Sequence, residues 1–80
     1  EEVHLTVVPN PAATSIAILL PDAALGGTLE LLSTTGALLA TIEATTSQQE
    51  MDVSALNAGH YLLRLTKGDE MIITPFVVER

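Results

Sequence analysis

An all-β sandwich of seven short strands is what this sequence predicts, and three observations carry the prediction. Turn-forming residues recur about every eight to twelve positions, the spacing of sandwiches and barrels. They are Pro9, Asn10 and Pro11, then Pro21 and Asp22, Gly26 and Gly27, Thr35 and Gly36, Asn57 to Gly59, and Gly68 with Asp69. Between these turns the apolar residues fall at every second position, the period at which a strand turns one face to a core. Finally, the run Leu56, Asn57, Ala58, Gly59, His60, Tyr61 sets a tyrosine at the mouth of the strand-like Leu62 to Leu65. In immunoglobulin-like sandwiches a tyrosine so placed closes a sheet corner by hydrogen-bonding backbone a few residues upstream.

The predicted strands are 3–8, 15–20, 27–33, 37–43, 48–53, 60–67 and 71–79. In the second, Ile16, Ile18 and Leu20 share a face; in the third, Leu29 and Leu31; in the fourth, Leu38, Ala40 and Ile42. The fifth alternates Glu50 and Asp52 with Met51 and Val53, which turns the carboxylates to water. Asp22 to Leu25 make one helical turn at most, because Gly26 and Gly27 stop it. The sixth strand has Tyr61, Leu63 and Leu65 on one side and Leu62, Arg64 and Thr66 on the other, the pattern of a central strand. The seventh is apolar on both faces but carries Pro75, which has no N–H to give a ladder and is confined to a sheet edge or a bulge.

The 80 residues make a single domain, 1–80, with Glu1 and Glu2 read as the end of a linker from an upstream domain. Hydrophobic residues reach 48%, yet there is one Phe, one Tyr and no Trp, so the core must be aliphatic. Three Lys and Arg against ten Asp and Glu give a net charge of -7. That charge repels a phosphate backbone and anionic lipid head groups alike, so no nucleic-acid partner is expected. With no cysteine, disulfides and thiolate metal sites are ruled out. The longest apolar runs, such as Ile16 to Leu20, are too short for a membrane-spanning helix. The sequence opens without a methionine and reads as a piece of a longer protein, whose signal peptide would lie elsewhere.

No catalytic, cofactor or metal site is predicted. Serine, histidine and aspartate occur, but no serine sits in a glycine-flanked elbow, and neither His4 nor His60 has sequence neighbours that would orient it as a base. Both histidines read as strand-surface residues. Asp69 and Glu70 beside Lys67 offer too few oxygens for a calcium loop and read as a solvated hairpin tip, and Glu50 with Asp52 lacks a third carboxylate. Pro9, Asn10, Pro11, Gly36, Leu56, Gly59, Tyr61 and Gly68 are the structural motif residues, Gly59 supplying a backbone conformation other residues resist.

Taken together, these elements resemble the type A C-terminal sorting domain of the type IX (Por) secretion system of Bacteroidetes. The residues that carry the likeness are Val7 to Ala12 with their Pro-Asn-Pro core, Gly27 to Leu31 with the Thr35-Gly36 turn, and Leu56 to Leu65 with the glycine-x-tyrosine strand, followed soon by the chain end. Where lysines are common in the last strand of the family, this chain has Ile73, Thr74, Pro75 and Phe76, with a single cation at Arg80. The resemblance implies an immunoglobulin-like domain fused behind a cargo domain, exported first to the periplasm and recognised there by the outer-membrane translocon. It also implies a cell-surface sortase that removes the domain from many cargoes.

An apolar strand at a sheet edge presents unpaired amides and carbonyls that a partner strand can use. Translocon recognition is therefore expected along Ile72, Ile73, Thr74, Pro75, Phe76, Val77, Val78, Glu79 and Arg80. In isolation the same edge is expected to pair two copies of the chain. The alternative reading is an adhesion or spacer module of immunoglobulin or fibronectin type. A carbohydrate-binding module ranks last, since Tyr61 and Phe76 are the only aromatic platforms.

Overall fold

A computed structural model describes residues 5–79, and among them every predicted strand is found. They are Thr6–Val8 (β1), Ser15–Leu19 (β2), Thr28–Ser33 (β3), Leu38–Glu43 (β4), Gln48–Asp52 (β5), Gly59–Lys67 (β6) and Glu70–Val78 (β7). Val3 and His4, assigned to the first strand from the sequence, lie outside the described residues. The single helical turn appears as a short 3-10 helix at Asp22–Ala24, which ends before Gly26 and Gly27.

The strands form two antiparallel sheets, β1-β2-β5 and β4-β3-β6-β7. Constant-type immunoglobulin domains put their fourth strand in the sheet of the first. Here β4 pairs with β3 instead, leaving three strands facing four. The core lies between the sheets and draws on the inner face of every strand. Ile16 and Ile18 from β2, Leu29 and Leu31 from β3, and Leu63 and Leu65 from β6 are all buried, the period-two assignment made physical. The carboxylates of Glu50 and Asp52 are exposed while Met51 and Val53 between and beside them are buried.

One assignment is overturned. Leu38 was expected on the face of Ala40 and Ile42, but it is 56% exposed while those two pack against the core. The cause is a register shift between Leu31 and Leu32. Leu31 pairs with Ala40, Leu32 with Leu38, and Leu39 is left as the extra residue of a bulge. Cross-strand partners share a face, so Leu38 goes with Leu32 to the outer side. A bulge breaks the parity that alternation assumes, and nothing in the residue types of Leu38 and Leu39 announces it.

The hairpin tips follow from their glycines. Gly36 has φ +92 and its N–H donates to the Ser33 carbonyl at 3.0 Å. Gly68, with φ +60, is the first residue of a two-residue loop between the paired Lys67 and Glu70, where a tight hairpin of this twist asks for a positive φ.

Candidate functional site

β7 is the outer strand of the four-stranded sheet, as Pro75 requires, and pairs along its whole length with β6 without a register shift. Which of its backbone groups face outward follows from Val77. Its N–H donates to the Asn10 side-chain Oδ1 at 3.0 Å, and its carbonyl accepts from the Ala12 N–H at 2.8 Å. Both groups of Val77 therefore point away from β6, and by alternation so do those of Pro75, Ile73 and Met71. Pro75 sits at an edge-facing position, the one place where its missing N–H breaks no ladder bond.

The two halves of this edge differ. At its C-terminal end the edge is closed by the segment between β1 and β2. Ala12 runs parallel to Val78, its N–H donating to Val77 and its carbonyl accepting from the Glu79 N–H at 2.8 Å. The sequence marked Pro9, Asn10 and Pro11 as a turn, and both X-Pro bonds, Val8-Pro9 and Asn10-Pro11, are cis. Asn10 does more than turn the chain: it closes onto a strand 67 residues later. At the N-terminal end, Met71 to Pro75, no described residue pairs with the edge. Of the residues Ile72 to Arg80 expected to be recognised, Val77 and Glu79 have outward backbone groups already bonded to Asn10 and Ala12, Ile73 and Pro75 have no backbone partner there among the described residues, and Arg80 lies outside the described residues.

The tyrosine corner forms as the sequence predicts. The Tyr61 hydroxyl donates to the Asn57 carbonyl at 2.6 Å. Its ring is 5.9 Å from that of Phe76, its cross-strand neighbour in β7, tilted by 31°. Such an aromatic pair contributes about 0.5–1.5 kcal/mol beyond its buried area. Gly59 opens β6 with φ +152, and a Cβ there would meet nothing within 4 Å, so the constraint on it is conformational and not steric. Leu56 is half-buried and packs against the core below the corner. These residues form one assembly with the closed end of β7, since Gly59 pairs with Val78 and Tyr61 with Phe76.

Other polar groups make single structural contacts. The Lys67 ammonium leaves the hairpin carboxylates and donates to the Ala23 carbonyl at 2.9 Å. Asp52 accepts the Ser54 N–H at 2.8 Å, and hydrogen bonding from Ser54 holds its carboxyl below the ordinary value for aspartate. His60 is exposed on the outer face of the larger sheet, opposite Val77. Among the described residues no three His, Cys, Asp or Glu side chains cluster as a metal site.

Residues 6–79 match the family model of the secretion system C-terminal sorting domain, nearly the whole of the chain. The chain belongs to this family. It is a sorting signal of the type IX secretion system, a domain that the secretion machinery recognises and that is not catalytic as a family; type IX cargo is exported across the outer membrane to the cell surface or the extracellular space. Among solved structures, this sorting domain is similar to part of PorZ from Porphyromonas gingivalis, described as an essential bacterial surface component of the type IX secretion system. The TM-score is 0.79 at 21% identity, covering 95% of this chain and 11% of that one, so the likeness speaks for a shared fold. No curated protein matches the chain. For this sorting domain the Pro-Asn-Pro and glycine-x-tyrosine motifs are the two sides of one closure, meeting at Val77 and Phe76.

Proposed function

We propose that residues 1–80 act as one domain behind a covalently linked cargo, that recognition occurs in the periplasm, and that the outer-membrane translocon reads it by adding a strand to β7. The observation that supports this reading is the outward-facing backbone of Met71, Ile73 and Pro75, which leaves the Met71 and Ile73 amides and all three carbonyls without a described partner at the β7 edge of the four-stranded sheet, β4 forming the other edge. An extended segment docked there gains main-chain hydrogen bonds, while pockets for alternate side chains give selectivity. Of the recognition residues Ile72 to Arg80, those up to Pro75 form the landing strip. Phe76, Val77, Val78 and Glu79 hold it in place. A cell-surface sortase then acts on the junction with the cargo, and the domain itself performs no chemistry. Without a partner strand, the same strip pairs two copies of the chain edge to edge.

The test uses two variants of Ile73 in a fluorescent reporter carrying the domain and secreted by type IX-competent cells. Ile73→Pro removes an edge amide without touching the bonds to β6; Ile73→Ala keeps the amide and removes only the side chain. Export lost with proline and kept with alanine, both variants retaining a folded melting transition, is the expected result. Export retained with proline would sink strand addition.

A further inference from the structure

The outer face of the four-stranded sheet carries an apolar pattern that core formation does not need. Register sets its layout. One row crosses all four strands, Leu38 on β4, Leu32 on β3, Leu62 on β6 and Pro75 on β7. One column runs down β7, Val77, Pro75, Ile73 and Met71, so row and column meet at Pro75 as an L. Leu38, Leu39, Ile73 and Met71 are 56%, 45%, 50% and 59% exposed. Leu32 is 4% exposed yet takes no part in the core cluster, since it is buried on the outside between its cross-strand partners. The bulge matters here, because a hairpin-end bulge asks only for a register shift, and both positions it leaves outside hold leucine.

The charges are arranged around this L and not within it. Among the described residues the acidic and basic side chains in the rows beside it are Glu30 and Arg64, joined by a bridge of 2.7 Å that neutralises both, with His60 next to Val77. Carboxylates with no ion pair among the described residues stand at the rim: Glu43 at the end of β4, Asp69 and Glu70 at the turn beside Met71, and Glu79 beyond Val77. An uncharged apolar centre inside a polar rim is the anatomy of a protein interface. A net charge of -7 disfavours an anionic membrane and a second copy stacked face to face on this sheet, as distinct from pairing along the β7 edge, and favours a cationic occupant.

We propose that this face docks a protein whose contact surface has an aliphatic centre and a Lys/Arg rim. The contact is made by side chains on the sheet face and does not rest on strand addition at the β7 edge, so export of the reporter can survive its loss.

The test places the photo-crosslinker p-benzoylphenylalanine at position 39, at position 73, or at the control position 50 on the outer face of the smaller sheet. The chain carries its native cargo in the cells that produce it, and adducts are sequenced by mass spectrometry. Positions 39 and 73 should give the same adduct, to an apolar segment flanked by Lys or Arg, absent from position 50. In that background Leu38→Ser, which leaves the β7 edge intact and an exposed site little changed in melting temperature, should lower the yield about tenfold, the effect of one buried leucine anchor. The proposal falls if the adducts from position 39 are to a second copy or to lipid, if position 50 gives the same adduct, if none forms, or if Leu38→Ser leaves the yield unchanged.

Discussion

The two halves of β7 share a strand, a partner and an apolar composition, and they differ in almost everything else. In its C-terminal half Phe76 and Val78 reach the core, each 1% exposed, and the outer backbone is closed by Asn10 and Ala12. From Met71 to Pro75 the outward side chains stand in water and the outer backbone has no described partner. Hydrophobicity alone therefore does not say what a strand is for. The closed half is tied into the fold and the open half is the stretch proposed for docking, two environments within nine residues.

The sharpest way to break the comparison is Phe76→Ala. Emptying the largest fully buried site and its Tyr61 contact should cost about 3–5 kcal/mol. In a domain of this size that lowers the melting temperature by tens of degrees, whereas the same truncation at Ile73 should leave it nearly unchanged. Equal losses at the two sites, read by calorimetry, would erase the distinction.

A smaller effect is expected from Gly59→Val, about 1–3 kcal/mol, because a β-branched residue resists φ +152 although the space is open. Denaturant unfolding checks the magnitude. An export defect with unchanged stability would move Gly59 from the structural corner to the recognised surface. Smallest is Asn10→Ala, about 1 kcal/mol, which leaves the Val77 N–H without its acceptor. Hydrogen exchange should then quicken at Val77 and Glu79 and stay as it was at Ile72, whose N–H lies within the β6 ladder; uniform quickening along β7 would mean that the closure does not act locally.

Much of this was legible in the residues. Alternation located the strands to within a residue or two at most ends, Pro75 announced an edge, and the corner from Tyr61 to Asn57 spans four residues. Each of these is a local relation, settled by side-chain chemistry within a turn or a pleat. The Pro-Asn-Pro and glycine-x-tyrosine motifs were likewise enough to point to the sorting-domain family that the match over residues 6–79 establishes.

Three things were not legible, and they share a cause. Asn10 looks like a turn former in sequence, and only the closing of one sheet over the other brings its amide to Val77. Leu38 looks like a core residue, and only the β3–β4 register with its bulge sends it outside. The open stretch of β7 is defined by where the closing segment stops. Strands, turns, corner and family follow from the residues, because these depend on neighbours along the chain. Pairing register and edge coverage were decided by the tertiary structure, because they depend on which backbone groups find partners across space, and period-two alternation carries no information about that.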